Sequence, residues 1–479
     1  MDHTRGGLLL LLLAVLGLLH VANANLVLPV ERKFKGPFQN LGAIKAHDAH
    51  RRGRFLSAVD VPLGGNGRPA STGLYYTKIG LGTPAKNYYV QVDTGSDILW
   101  VNCVACKQCP TKSTLGMDLT LFDPNASQTS KIVPCDDNFC TSTYEGEIDG
   151  CNKEMACPYS ITYGDGSTTT GTYVKDLLTF NKLSGNNQTA PETSSVVFGC
   201  GQKQSGTLSS SQQEALDGII GFGQSNSSVL SQLAASGKVK KIFSHCLDSI
   251  NGGGIFAIGE VVQPKFNTTS LVPRMAHYNV VLKDMEVGGD VIQLPTDFFG
   301  TGNGRGTIID SGTTLAYLPA MVYDQLVPKI LGQQAGLKLY LVEDQFTCFH
   351  FSGKLDAGFP AVKFHFEGLS LIAQPHDYLF QFQGDMYCIG WQKSTAQTKD
   401  GQELILLGDL VLSNKIVVYD LENMTIGWTD YDCSSSIKVK DETTKSVYTV
   451  GAQDISSGST GLTGSILTFC LLIIAIINI

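Results

Sequence analysis

From Gly73 onward the chain alternates short apolar or β-branched runs with clusters of Gly, Asn, Asp and Ser. LYYTKIGLG, YYVQVDTG, YSITYGDGS, SVVFGCG, GIFAIGE, YNVVLKDMEVGG, GTIIDSG, AVKFHFEG and KIVVYDLENMTIGW all follow this pattern. Such spacing predicts a mostly β, largely antiparallel body. Two stretches break the rhythm. Ser227 to Ser236 reads as a short helix with a serine at its start and Gly237 just past its end, and Pro319 to Ile330 as a helix with proline in its first turn. After Cys433 the composition turns to Ser, Thr, Lys and Gly, which predicts a flexible stalk.

The two ends follow another pattern. Leu8 to Leu19 is apolar, follows Arg5 and precedes Ala22-Asn23-Ala24, the signature of a secretory signal peptide over residues 1–24. A membrane-anchoring first helix is the alternative, although the run is shorter than the ~20 residues a span needs. Ile466 to Ile479 is also apolar but would reach only ~21 Å as a helix. Small residues Ser456, Ser457 and Gly458, a polar spacer and that tail suggest a glycolipid (GPI) anchor, with 434–465 as stalk and attachment region and 466–479 discarded. A spanning tail is the competing reading.

Charge separates the chain further. Residues 25–70 carry eight Lys or Arg against three Asp or Glu, while the whole chain has a net charge of −8. A basic segment ahead of an acidic body suits an inhibitory prosegment, or a solvated linker. No basic-aromatic interleaving points to nucleic acid.

Thirteen cysteines include Cys470 in the tail, leaving twelve. An even number suits disulfides in an oxidising compartment: Cys103, Cys106, Cys109, Cys135, Cys140, Cys151, Cys157, Cys200, Cys246, Cys348, Cys388 and Cys433. The spacing of Cys103, Cys106 and Cys109 could hold zinc, but disulfides fit a secreted chain better and no metal is expected. Nine of the twelve precede residue 260, so full internal pairing needs at least one bridge between the two halves. Cys200 or Cys246 with Cys433, and Cys348 with Cys388, are the expected pairs. Asn125, Asn187, Asn226, Asn267 and Asn423 begin N-x-S/T sequons and are glycosylation candidates.

The chemistry lies in a repeat. Asp93-Thr94-Gly95-Ser96 at the end of one β-prone run returns as Asp310-Ser311-Gly312-Thr313. Each copy is followed downstream by two apolar residues and a glycine, Ile219-Ile220-Gly221 and Leu406-Leu407-Gly408. One Asp-x-Gly is ordinary turn chemistry. Two copies in matching order are a much stronger signal. An ionised carboxylate at the end of a buried strand also needs a partner or a function.

On these residues the sequence, from about Gly73 to Cys433, resembles the pepsin-like aspartic proteases, in particular the cysteine-rich plant branch that includes the nepenthesins. The resemblance implies a bilobal fold with a central cleft, an N-terminal lobe over 71–262 and a C-terminal lobe over 263–433. Each lobe then supplies one catalytic aspartate, Asp93 and Asp310. By the same resemblance, Thr94 and Ser311 brace the two loops, Gly95 and Gly312 turn them, and Ser96 and Thr313 bond the outer carboxylate oxygens. Two carboxylates in contact share a proton, a coupling for which this class of enzymes is itself the usual illustration. Tyr163 and Gly164 match the substrate-closing flap, and Trp100 the residue that steadies its tyrosine. Asp97 is read as a surface or structural carboxylate, and His350, His365 and His376 as strand or surface residues.

The implied protein is a secreted, membrane-tethered aspartic endopeptidase made as a zymogen, monomeric, without cofactor, acting on polypeptides at the outer face of the plasma membrane. The alternative is a catalytically silent binding or inhibitor protein on the same scaffold.

Overall fold

The computed structural model describes residues 56–455 except 71, 147, 211–213, 295–305 and 395–402. The signal peptide, residues 25–55 of the basic segment, Ser456, Ser457, Gly458 and the apolar tail lie outside the described residues. Among those described, no helix is long and apolar enough to cross a membrane.

The fold is β-rich, and its centre is a 15-stranded sheet that runs from one lobe into the other. Ile242–Leu247 of the first half pairs antiparallel with Lys415–Asp420 of the second, with Ser244 opposite Val418. Aromatic rings fill the space over this seam. Phe243 stacks on Tyr419 at 4.4 Å between centroids, and Tyr278 meets Tyr419 edge-on at 4.6 Å. Both anticipated helices form, as Val229–Ala235 and Ala320–Leu331. The Ser228 hydroxyl caps the first by accepting the Ser231 N–H, while Pro319 precedes the second.

Each lobe repeats one strand arrangement. In the first, Gly218–Gly221 lies between Lys86–Asp93, to which it is parallel, and Leu99–Asn102, to which it is antiparallel. In the second, Ile405–Leu407 lies in the same way between Thr307–Ile309 and Ala316–Leu318. The two apolar-apolar-glycine signals are therefore the strands that back the two aspartate loops. Their glycines are required by contact. A Cβ on Gly221 would come within 2.6 Å of the Ser96 carbonyl oxygen, and one on Gly408 within 2.2 Å of the Thr313 carbonyl oxygen. The loop carrying each aspartate crosses directly over its backing glycine.

Six disulfides form: Cys103–Cys200, Cys106–Cys109, Cys135–Cys151, Cys140–Cys157, Cys246–Cys433 and Cys348–Cys388. The bridge between halves is Cys246–Cys433; Cys200 is used within the first half. Cys348 and Cys388 face each other on paired strands. Cys103, Cys106 and Cys109 are all spent on disulfides, and no metal-binding group of three His, Cys, Asp or Glu occurs among the described residues.

Two segment readings need correction. Residues 434–455 are not a flexible stalk: Ser436–Lys440 and Val447–Gly451 form a hairpin that pairs with Glu260–Gln263. The polar composition concealed a period-two pattern in which Ile437, Val439 and Val450 are each no more than 1% exposed. Nor are residues 56–70 separable from the body. Val59–Asp60 lies between Gly254–Ile258 and Thr168–Gly185, and Leu63–Asn66 pairs with Leu74–Leu81.

The two corrected segments hold each other. The Ala58 N–H donates to Asp441 (3.2 Å), the Gln453 amide to Asp60 (2.6 Å), the Thr443 hydroxyl to the Leu56 carbonyl (3.0 Å) and the Ile455 N–H to the Leu63 carbonyl (2.9 Å). Ala58, Leu63 and Asp441 are fully buried. A strand this embedded belongs to the folded body.

Candidate active site

Lys86–Asp93 and Thr307–Ile309 deliver the two aspartates to the seam between the lobes. Both carboxylates are more than nine-tenths buried. Each is held by its own loop in the same way. Asp93 accepts the Gly95 N–H at 2.8 Å on its inner oxygen Oδ1 and the Ser96 hydroxyl at 2.5 Å on Oδ2. Asp310 accepts the Gly312 N–H at 2.7 Å on Oδ1 and the Thr313 hydroxyl at 2.7 Å on Oδ2.

The glycines show how closely the two groups approach. A Cβ on Gly312 would sit 1.8 Å from Asp93 Oδ1, and one on Gly95 would sit 2.6 Å from Asp310 Oδ2. Each carboxylate packs against the other loop's glycine, where no side chain fits. Burial, and then the Asp310 carboxylate, raises the Asp93 carboxyl to about 7. Such a pair holds one proton across the acid range.

The brace between loops is one-sided. Thr94 Oγ1 accepts the Ser311 N–H at 2.8 Å, whereas the buried Ser311 hydroxyl has no hydrogen-bond partner among the described residues. Gln91 adds a second cross-link, its amide donating to the Gly312 carbonyl at 3.3 Å.

Tyr163 and Gly164, expected to form the flap, lie in the turn between the paired strands Pro158–Thr162 and Thr168–Gly185. The Tyr163 N–H donates to the Ser167 carbonyl, and Gly166 takes φ +81°, closing the tip. Gly164 is exposed at that tip. Trp100 Nε1 donates to the Tyr163 hydroxyl at 2.7 Å and so orients the ring. Burial, then the negative charge of Asp93, pushes the Tyr163 phenol well above its usual range. The phenol therefore stays neutral beside the aspartates.

Asp97 is structural: its carboxylate accepts the Ser225 N–H at 2.9 Å. His350, His365 and His376 lie near surface carboxylates, Asp385, Glu286 and Asp356. All five sequon asparagines are exposed.

Sequence reasoning missed one carboxylate. Asp409 follows directly after the backing glycine Gly408, where the first copy has Phe222. It is 1% exposed, and one of its oxygens has no hydrogen-bond partner among the described residues. Burial, then Asp310 and Asp93, holds it well above the usual carboxylate range. Aligning the two repeats one residue further would have exposed this difference.

Comparison with known proteins agrees with this geometry. Family models described as xylanase inhibitor N-terminal and C-terminal match residues 75–260 and 277–430. The chain is 51% identical to aspartic proteinase 36 of Arabidopsis thaliana, over 99% of this chain and 98% of that one. It is 52% identical to aspartic proteinase 39 of the same plant, over 91% and 90% respectively. Aspartic proteinase nepenthesin-2 of Nepenthes gracilis is 29% identical over 81% of this chain and 84% of its own. Among solved structures, basic 7S globulin from soybean superposes with a TM-score of 0.60 at 20% identity, covering 78% of this chain and 96% of that one. With both halves matched in order and relatives about half identical along nearly the whole length, the chain belongs to the plant family of pepsin-like aspartic proteinases.

Proposed function

We propose that the protein is an aspartic endopeptidase that hydrolyses peptide bonds with a water activated between Asp93 and Asp310. The observation that carries this reading is the packing of each carboxylate against the opposite loop's glycine. An ionised carboxylate takes a proton from the water as it attacks the peptide carbonyl, and the protonated partner donates to the carbonyl oxygen. The chemistry of this pair uses no metal and no covalent acyl-enzyme. The Tyr163 turn closes over the substrate, and Trp100 fixes its ring.

The secretory setting is part of the proposal. Residues 1–24 direct export, and the basic segment restrains the acidic body until it is removed upstream of Leu56, since Val59–Asp60 is built into the central sheet. The twelve paired cysteines suit an oxidising compartment, and the cysteine-rich stretch from Cys103 to Cys157 supports a place in the nepenthesin-like branch. Ser456, Ser457 or Gly458 would carry a glycolipid anchor and hold the monomeric enzyme at the outer face of the plasma membrane. The exposed sequons would carry glycans. Release by phosphatidylinositol-specific phospholipase tests the anchor, and N-terminal sequencing of purified protein tests the cut.

A second reading, a silent binding or inhibitor protein, is favoured by the descriptions of the two matching family models. Casein cleavage at acid pH separates the readings. Pepstatin-sensitive activity that disappears in Asp93→Asn and in Asp310→Asn is the expected result. Matured wild-type protein that cleaves neither casein nor peptides at any acid pH would sink the enzyme reading.

A further inference from the structure

We infer that Asn267 carries an N-linked glycan whose root is seated in a groove of the second half of the chain and packs against the protein, while sugars on the other four sequons extend into solvent. This rests on the secretory part of the proposed function and is independent of peptide hydrolysis.

The five sequons sit in unlike places. Asn125, Asn187, Asn226 and Asn423 all lie in turns. Asn187 takes φ +51° between the long strands Thr168–Gly185 and Gln188–Ser205, and the Asn423 side-chain amide already donates to Asp420 at 2.7 Å. Asn267 alone among the five is in a strand, Asn267–Ser270, which ends the 15-stranded sheet. Its antiparallel neighbour is Thr425–Asp430, and the register sets Asn267 directly opposite Trp428. Residues opposed in this way point to the same face of the sheet, with Cβ atoms about 4.5–5.5 Å apart. Anything joined to the Asn267 amide therefore starts beside the indole.

A groove of about 370 Å³ opens at that point. Phe266, Asn267 and Trp428 line it from the central sheet, and Ser370 lines it from the hairpin of Val362–Phe366 with Ser370–Ala373. Lys265 and Asp430, both exposed, complete it with one charge of each sign. The aromatic walls are fixed. Trp428 Nε1 donates to the Ser370 carbonyl at 2.9 Å, and the indole meets Phe366 edge-on at 5.2 Å between centroids. Phe266 lies over Gly427, where a Cβ would come within 2.7 Å of its ring.

Fixed aromatic walls beside a carboxylate and an ammonium suit a sugar. The C–H face of a pyranose packs on aromatic surface, and its hydroxyl and acetamide groups find hydrogen-bond partners at the rim. The volume lies toward the lower end of the ~300–1,000 Å³ range of small-ligand clefts, which suits the N-acetylglucosamine root and leaves the branched mannoses outside. A root joined to Asn267 needs no capture from solution, because the covalent link has already met the cost of association. The sequon's Thr269 is only 6% exposed, so the sugar is added before this strand pairs and the chain folds around it. A bulky glycan on the terminal strand also opposes pairing with another chain.

The test uses the full chain secreted from plant cells that leave its glycans in high-mannose form. Glycopeptide mass mapping should find Asn267 occupied. An endoglycosidase that cuts within the N-acetylglucosamine root should strip the folded protein unevenly, because a seated root must leave its groove before it is cut; release from Asn267 should be about ten-fold slower than from the other occupied sequons. After denaturation the rates should be equal. Phe266→Ala, which removes one wall, should raise the native rate at Asn267 to that of the others. Equal native rates, or a bare Asn267 while other sequons are occupied, would overturn the seated glycan and leave the secretory reading intact. A secreted chain with no glycan at any sequon would overturn both the seated glycan and the glycoprotein reading. A bare Asn267 with saturable binding of free chitobiose would make the groove a site for a soluble saccharide and likewise end this assignment.

Discussion

The loops at Asp93 and Asp310 share a backbone design but not their surroundings. Both turn on a glycine, both receive an N–H and a hydroxyl from within the loop, and both cross a backing glycine. Behind the first lies Phe222, packed among Phe243 and Phe256; behind the second lies the carboxyl of Asp409. Across the seam, the Thr94 hydroxyl oxygen accepts the Ser311 N–H, while the Ser311 hydroxyl has no hydrogen-bond partner among the described residues. The likeness is what brings two carboxylates together, and the differences give the two carboxyls unlike surroundings. A dyad needs near-symmetry in its geometry and asymmetry in its hydrogen bonds.

The sharpest challenge to the shared design is to remove each carboxylate in turn. Asp93→Asn and Asp310→Asn should each lower kcat by at least about 10³-fold, because either loss ends the division of labour. A residual activity that differs greatly between them, measured on one peptide substrate, would break the equivalence of the two loops.

Next come the glycines. Gly312→Ala should be the more damaging, since its Cβ would fall 1.8 Å from Asp93 Oδ1, against 2.6 Å from Asp310 for Gly95→Ala. Overpacking of this kind costs about 1–3 kcal/mol in stability. Urea unfolding of the two variants checks the order.

The brace gives a smaller and more pointed contrast. Thr94→Val leaves the buried Ser311 N–H without an acceptor, a loss of about 1–3 kcal/mol, while Ser311→Ala removes a hydroxyl without a partner among the described residues and should be near neutral. Equal losses in thermal unfolding would restore the symmetry denied here.

The last contrast is in pH. Burial pushes the Asp93 and Asp217 carboxyls up to about 7 in the folded chain, and Asp409 is raised too. For Asp93 and Asp217 this adds stability that is complete below the unfolded value near 4 and is lost as pH rises through about 7, and Asp409 acts in the same direction. His245, lowered to about 3, acts oppositely, with stability lost as pH falls from about 6.5 toward 3. These carboxyls, with Asp97 and Asp377 also raised by burial, outweigh one imidazole, so thermal unfolding should occur at higher temperature near pH 5 than near pH 8. Asp409→Asn should flatten this slope; an unaltered slope would remove Asp409 from the account.

The two ends of the described chain show where sequence reasoning succeeded and where it failed. The helix at Val229–Ala235 was legible because Ser228 and Gly237 mark its limits locally. The strand at Ser436–Lys440 was not, because its buried pair, Ile437 and Val439, gains meaning only when Glu260–Gln263 lies beside it. The same holds for Val59–Asp60, which is stabilised by strands more than a hundred residues away. Polar composition was mistaken for disorder in one case and basic charge for separability in the other.

The sequence by itself determined the β character of the body, the two aspartate loops, their backing strands and the tyrosine turn. Each of these is written in residues close together along the chain, where turn sterics and strand periodicity act locally. Only the tertiary structure decided that Cys246 rather than Cys200 reaches Cys433, that Asp409 stands behind the pair, and that His245 is fully buried against Tyr419. Those outcomes depend on which strands meet across the seam, and burial changes the chemistry of a side chain only after that meeting has excluded water.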